Sequence, residues 1–194
     1  KGIWCSTPEE LVREICVGIS GVGVALLVDL GKVDLKLIPP AEESRVRLYR
    51  VACNKTQVSE AIALCDAIKA KGYLVSINLM GIVNYTSQEL AAAIAPIKAS
   101  SIDYVYFADS YGSMFPYAVK DYIDALKQTG KKIGFHAHNN LQLAFANTLE
   151  ALRHGIDIVD GTVYGMGRGA GNLPLEILLT YLERVKGHNK YNAL

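Results

Sequence analysis

Six short β-branched or aromatic runs recur along the chain, and segments of helical character, not hairpin turns, separate most of them. They are VALLVDL from Val24, LYRVACN from Leu48, YLVSINL from Tyr73, YVYFADS from Tyr104, KIGFHAH from Lys132 and IDIVDGTVY from Ile156. Strand, crossover helix and strand in succession put neighbouring strands in parallel, because a parallel partner is reached only through a long crossover. Strands this continuously apolar belong to a sheet covered on both faces.

The helical segments carry end signals. Thr56 is expected to cap TQVSEAIALCDAIKAKG, whose Val58, Ile62, Cys65 and Ile68 fall on one face, with Gly72 as the exit. Thr86 with Glu89 reads as a capping box. The run after Pro116 closes at Gly130, and Leu141, Phe145, Leu149 and Leu152 are expected to be the buried stripe of a helix that stops at Gly155. Pro39 and Pro40 allow only a brief helix between the first two strands. The chain opens on a helix with Thr7 as cap, Pro8 in first position and Glu10 reaching back, and it closes on LPLEILLTYLERVKG.

Repeating units of about 25–30 residues fit the (β/α)8 TIM barrel, which needs roughly 250 residues. The fold class expected is therefore α/β, a TIM barrel that shows six strands because it starts at its second helix and ends at its eighth. Residues 1–194 would be a single catalytic domain lacking the first two strands at its N-terminal side. A doubly wound open sheet also accepts six strands and is the structural rival.

Composition narrows the partners. At 51% hydrophobic, 20% charged and net charge +1, the chain has a core's worth of apolar residues and no basic block for nucleic acid or an anionic membrane. A small molecule is the expected ligand. Cys5, Cys16, Cys53 and Cys65 form no C-x-x-C pair and read as reduced thiols of a cytoplasmic protein. The most apolar stretch, residues 15–30, is broken by Gly18, Ser20, Gly21 and Gly23 and falls short of the ~20 residues of a membrane helix. No signal-peptide pattern is present.

The chemistry concentrates at strand ends. In G-F-H-A-H-N-N, His136 and His138 are two apart and share one face of a strand, with Gly134 beneath them leaving room. Two imidazoles at the carboxyl-end rim suit a divalent metal. With nitrogen and oxygen donors nearby and no cysteine, Mn2+ or Mg2+ is expected ahead of Zn2+ or Fe2+. The loop GMGRGAGN, residues 165–172, has three readings: a tight turn, a phosphate cradle in which backbone at Gly167 and Gly169 approaches a ligand, or a platform for an Asn172 oxygen. Asp109 and Ser110 end an apolar strand in polar groups. Arg50 and Asn78 are polar residues inside apolar strands and need buried partners, either site groups or structural ones.

These motifs together, F-H-A-H-N-N with L-x-x-A-x-A-N, then I-V-D-x-x-x-x-G-M-G-R-G-A-G-N, preceded by F-A-D-S-Y-G-S-M, resemble the metal-dependent lyases and aldolases of the HMG-CoA lyase-like group, the DRE-TIM metallolyases. The likeness spans residues 48–185 and is strongest to the 4-hydroxy-2-oxoacid aldolases. It implies His136 and His138 as metal ligands, Asn172 as ligand or near-ligand, and Asp109 and Ser110 as residues lining the substrate site. It implies aldol cleavage of a 4-hydroxy-2-oxo acid to pyruvate and an aldehyde through a metal-stabilised enolate, in a homo-oligomer such as a dimer. The family's Asp-Arg-Glu signature, which supplies a metal aspartate, is not found in these residues, so the ligand set expected here is incomplete. Two rivals stand beside this reading: a phosphate-sugar isomerase or epimerase barrel with the histidines as acid and base, and a non-catalytic truncated barrel.

Overall fold

The computed structural model describes residues 7–187. Its strands are β1 (Val24–Asp29), β2 (Val46–Cys53), β3 (Leu74–Leu79), β4 (Tyr104–Asp109), β5 (Lys132–Ala137) and β6 (Ile158–Val159). The helices are α1 (Glu9–Ile15), α2 (Val58–Lys69), α3 (Ser87–Ala99), α4 (Pro116–Lys127), α5 (Ala144–Arg153) and α6 (Leu175–Arg184). All neighbouring strands pair in parallel, in chain order from β1 to β6. A doubly wound sheet reverses its strand order at a switch point, and this one never does.

Curvature completes the distinction. Arg50 on β2 grips Asp160, the residue after β6, with Nη2 2.6 Å from Oδ2. Four strand intervals on a flat sheet would hold those positions roughly 19 Å apart. The sheet therefore curls into a six-strand arc of a (β/α)8 barrel, with an inner face and a helix-covered face. On the covered face Phe107 stacks on Phe135 at 4.6 Å and on Tyr122 of α4 at 6.0 Å. Val51, Ile77 and Val105 are fully buried in the same layer. The inner face carries the polar minority: Arg50, Asn78, Tyr106, His136.

The local signals held at α3, where Thr86 Oγ1 accepts the Glu89 amide and Glu89 accepts the Thr86 amide in a full capping box. They failed at three other helices. Thr56 does not cap α2: its amide and hydroxyl both donate to Asn54 Oδ1, at 3.0 and 2.7 Å, and the helix starts later, with Gln57 as N-cap. The N-cap of α1 is Pro8, one residue past the expected Thr7, which sits at φ +37°. Leu141 is exposed and precedes α5, because Asn139 Oδ1 accepts the Ala144 amide and ties residues 139–144 into a turn. The buried face of α5 is then Ala144, Asn147, Thr148 and Ala151, whose small size lets the helix lie close. Phe145 and Leu152 pack only at its edge.

The connection from β1 to β2 contains only two 3-10 turns, Leu35–Leu37 and Ala41–Glu43, as its two prolines require. β6 is much shorter than IDIVDGTVY implied. Past Val159 the edge of β5 is taken over by the glycine loop: Leu173 N donates to Ala137 O at 3.1 Å, and His138 bridges Asn172 in antiparallel sense. Cys16, Cys53 and Cys65 are free and buried, and burial pushes the Cys53 and Cys65 thiols up to about 12; Cys5 lies outside the described residues. No described helix is long and apolar enough to cross a membrane.

Candidate active site

His136 and His138 project from the end of β5 on the inner side of the arc, with ring centroids 5.1 Å apart. Their shared face follows from the two-residue period of the strand. His136 Nδ1 lies 3.0 Å from Asp160 Oδ2. The same carboxylate is held by Arg50 through two parallel bonds, Nη1 to Oδ1 at 3.2 Å and Nη2 to Oδ2 at 2.6 Å. Arg50 in turn rests on the Tyr106 ring, 4.0 Å from its centroid, a cation–π contact. The space left by Gly134 is filled by that tyrosine: a Cβ at 134 would come within 2.3 Å of the Tyr106 ring. The glycine therefore admits an aromatic plate under Arg50 and leaves no free room below the histidines.

The electrostatics follow from this packing. Burial pushes the Asp160 carboxyl up, but hydrogen bonds from His136 and Arg50, with their charges, outweigh it and hold the group below the usual carboxylate range. Burial and the Asp160 charge, partly offset by Arg50, raise the Tyr106 phenol to about 12, so it stays protonated. Burial lowers the His138 imidazole, the charges of His136 and Arg168 add to this, and Asp109 opposes it. A ring kept neutral is one whose nitrogen lone pair is available.

Asn172 arrives beside His138 through the antiparallel bridge. Its Nδ2 donates to Met166 O at 3.0 Å, while its Oδ1 is buried with no hydrogen-bond partner. An orphaned buried oxygen is costly unless something takes it up. The glycine loop is built around this side chain. A Cβ at Gly167 would lie 2.4 Å from Asn172 Nδ2, one at Gly169 (φ +65°) would lie 3.0 Å from Asn140 Nδ2, and one at Gly171 would strike Gly165 O at 2.1 Å. The space of the side chains missing at Gly167 and Gly169 is taken by two asparagine amides, while the backbone at both positions stays exposed.

The strand pair Asp109 and Ser110 does not join the histidines. Asp109 has the parity of Phe107, on the covered face, and is fully buried. Its carboxylate accepts the amides of Ser113 at 3.0 Å and Met114 at 3.0 Å, so both oxygens serve the loop after β4. Asn147 Nδ2 donates to Met114 O at 2.9 Å and braces that loop from α5. Ser110 Oγ accepts the Gly81 amide at 2.8 Å. Asn78 is on the inner face, paired in register with Tyr106, and its Oδ1 accepts from buried Ser76 Oγ at 2.9 Å. Among the predicted residues, then, His136, His138, Asn172 and Arg50 come together. Asp160 and Tyr106 join them unforeseen. The signal for Asp160 was an acidic residue directly after a β-branched pair at a strand end, and for Tyr106 an aromatic residue in register with a glycine.

The donor set can be tested against a divalent cation. Among the described residues no group of three His, Cys, Asp or Glu could hold a metal. The set here is instead two imidazoles and one amide oxygen. His136 Nε2 is left free by the Asp160 contact, neither His138 ring nitrogen has a hydrogen-bond partner among the described residues, and the Asn172 oxygen is orphaned. Three such N and O donors, with a carboxylate behind one imidazole, fit a divalent cation with open positions.

Known proteins resemble this chain along most of its length. The family model described as HMGL-like matches residues 10–193. The 4-hydroxy-2-oxovalerate aldolase of Thermus thermophilus is 35% identical over 182 residues, covering 90% of this chain and 51% of the relative. The oxaloacetate decarboxylase of Mycobacterium tuberculosis is 37% identical over 140 residues, covering 72% of this chain and 41% of the relative. The chain thus spans about half the length of the curated relatives it matches. In structure it is similar to the HMG-CoA lyase of Bacillus subtilis, with a TM-score of 0.71 at 19% identity over 86% of this chain and 64% of the other, a likeness of fold. The barrel arc, the histidine pair on its inner rim and a match along nearly the whole length lead to one conclusion: the chain belongs to the HMGL-like family.

Proposed function

We propose that the full-length protein is a divalent-metal-dependent carbon–carbon lyase that cleaves a 4-hydroxy-2-oxo acid to pyruvate and an aldehyde. The observation that carries this reading is the pair of imidazoles, His136 and His138, at the barrel rim, with ring centroids 5.1 Å apart, and beside them Asn172, bridged to His138 and bearing an orphaned oxygen. These three residues would hold the cation, with Mn2+ or Mg2+ favoured by the oxygens that a 2-oxo acid would add, since the two imidazoles alone suit Zn2+ as well. When bound, such a cation supplies positive charge against the oxygen on which negative charge develops.

The remaining residues bind and orient. Asp160 and Arg50 hold His136 in place, and Tyr106 keeps Arg50 from turning away. Asn78 and Ser110 would line the approach of the 2-oxo acid, and Gly167 and Gly169 act through the asparagines that they seat. Asp109 sets the loop after β4 and acts on the site through its charge. In the substrate, loss of the C4 hydroxyl proton breaks the C3–C4 bond, the aldehyde leaves, and the pyruvate enolate takes a proton at C3.

A second reading, decarboxylation of oxaloacetate, is favoured by the decarboxylase among the relatives. It produces the same pyruvate enolate with carbon dioxide as the other product, and it needs no base for a hydroxyl proton. The deciding measurement is Mn2+-stimulated pyruvate release by the full-length protein from a panel of 4-hydroxy-2-oxo acids and from oxaloacetate. Release from the hydroxy acids, lost with chelator, is the expected result. Release from oxaloacetate alone would favour the second reading, and none from either would overturn both.

A further inference from the structure

We infer that Asp160, clamped by Arg50, is a positioning residue that locks His136 in its Nδ1–H tautomer and leaves Nε2 bare at the rim. Arg50 has only donors, and its two terminal nitrogens approach the two oxygens of Asp160 separately, at 3.2 and 2.6 Å. Both oxygens face a permanently charged guanidinium in the forked geometry of an ion pair, which is that of an ionised carboxylate, and an ionised carboxylate has no proton to give. Oδ2, 3.0 Å from His136 Nδ1, can then only accept, and Nδ1 must be the protonated nitrogen. In a neutral ring the lone pair then belongs to Nε2.

The clamp is itself held. The guanidinium is sandwiched between Asp160 and the Tyr106 ring, and Tyr106 can occupy that position only because residue 134 is glycine. Arg50, Tyr106, Gly134, His136 and Asp160 come from four strands or their ends, so the arc of the sheet assembles the device. His138 has no such partner among the described residues. The two histidines are therefore unequal: a carboxylate orients the ring of His136 and none orients that of His138 among the described residues.

For the tautomer the inference stands on geometry alone; for cation affinity it rests on the metal reading above. Long-range 15N–1H spectra of the metal-free full-length protein, at about pH 8 where imidazoles are neutral, test the first. His136 is expected to show a protonated Nδ1 and a bare Nε2; the opposite tautomer, or a mixture, would overturn the inference. Replacing the carboxylate by an amide in Asp160→Asn should abolish the single tautomer and weaken Mn2+ binding, read by calorimetry, roughly 10–100-fold. Arg50→Lys, which keeps the charge and loses the fork, should give a smaller loss. Unchanged tautomer and affinity in a folded Asp160→Asn protein would sink the positioning role. Should the wild type show the Nδ1–H tautomer but bind no Mn2+, the positioning of His136 is upheld and the metal reading falls alone.

Discussion

Single residues at this site are defined by what occupies the space next to them. Gly134 is the clearest case, since its missing side chain is the bed of the Tyr106 ring. Gly134→Ala should destabilise the fold by about 1–3 kcal/mol, the usual cost of overpacking, measurable by urea denaturation. His138 carries a pH signature. Its imidazole is lowered by burial and by the charges of His136 and Arg168, so as pH falls the unfolded chain takes up that proton before the folded one. Stability should therefore drop as pH falls from about 6.5, the ordinary histidine value, toward the lower folded value, and level off below it. In His138→Gln that part of the slope should vanish. The sequence made the histidine pair legible because their spacing matches the period of a strand. It did not make Asp160 legible, because nothing in I-V-D-G says that an arginine 110 positions earlier will meet it.

At the scale of elements, the helix ends show why a local signal succeeds or fails. Thr86 and Glu89 satisfy each other within four residues, and Lys55, which pairs with Oε1 of Glu89, leaves Oε2 to the cap. Thr86→Ala should cost about 1 kcal/mol, read from the thermal midpoint. Glu89 is held at about 2 by hydrogen bonds with Lys55 and Thr86. Its contribution is complete above its ordinary value of 4.5 and is lost as pH falls toward about 2, so the loss from Thr86→Ala should shrink across that window. Thr56 looked equally suited to cap α2, yet Asn54 offered a nearer acceptor and formed a turn instead. The glycine loop is a third case. Its composition announced close approach, and close approach is what it makes, to Asn172 and Asn140.

Across the whole molecule, the Arg50–Asp160 pair ties the second strand of the arc to the last. Each side chain is only 18% exposed, so removing one partner leaves a largely desolvated charge. Arg50→Leu is expected to cost roughly 2–4 kcal/mol, and the double variant with Asp160→Leu less than the sum of the two single losses. Denaturation of all four proteins gives the coupling, expected near 1–3 kcal/mol; additivity would mean that the pair does not brace the arc. The sequence by itself determined the alternation of parallel strands and crossover helices, the α3 capping box and the common face of His136 and His138. Each of these depends on spacing within a dozen residues, where backbone periodicity alone decides who faces whom. Only the tertiary structure decided that Asp109 serves a loop, that Arg50 and Asp160 hold His136, and that an asparagine fills the glycine loop. Arg50 and His136 meet Asp160 from strands far apart in the chain, within bonding distance because the sheet curves into an arc, while Asp109 and Asn172 find partners four to six residues away in loops, where no strand or helix period sets who faces whom.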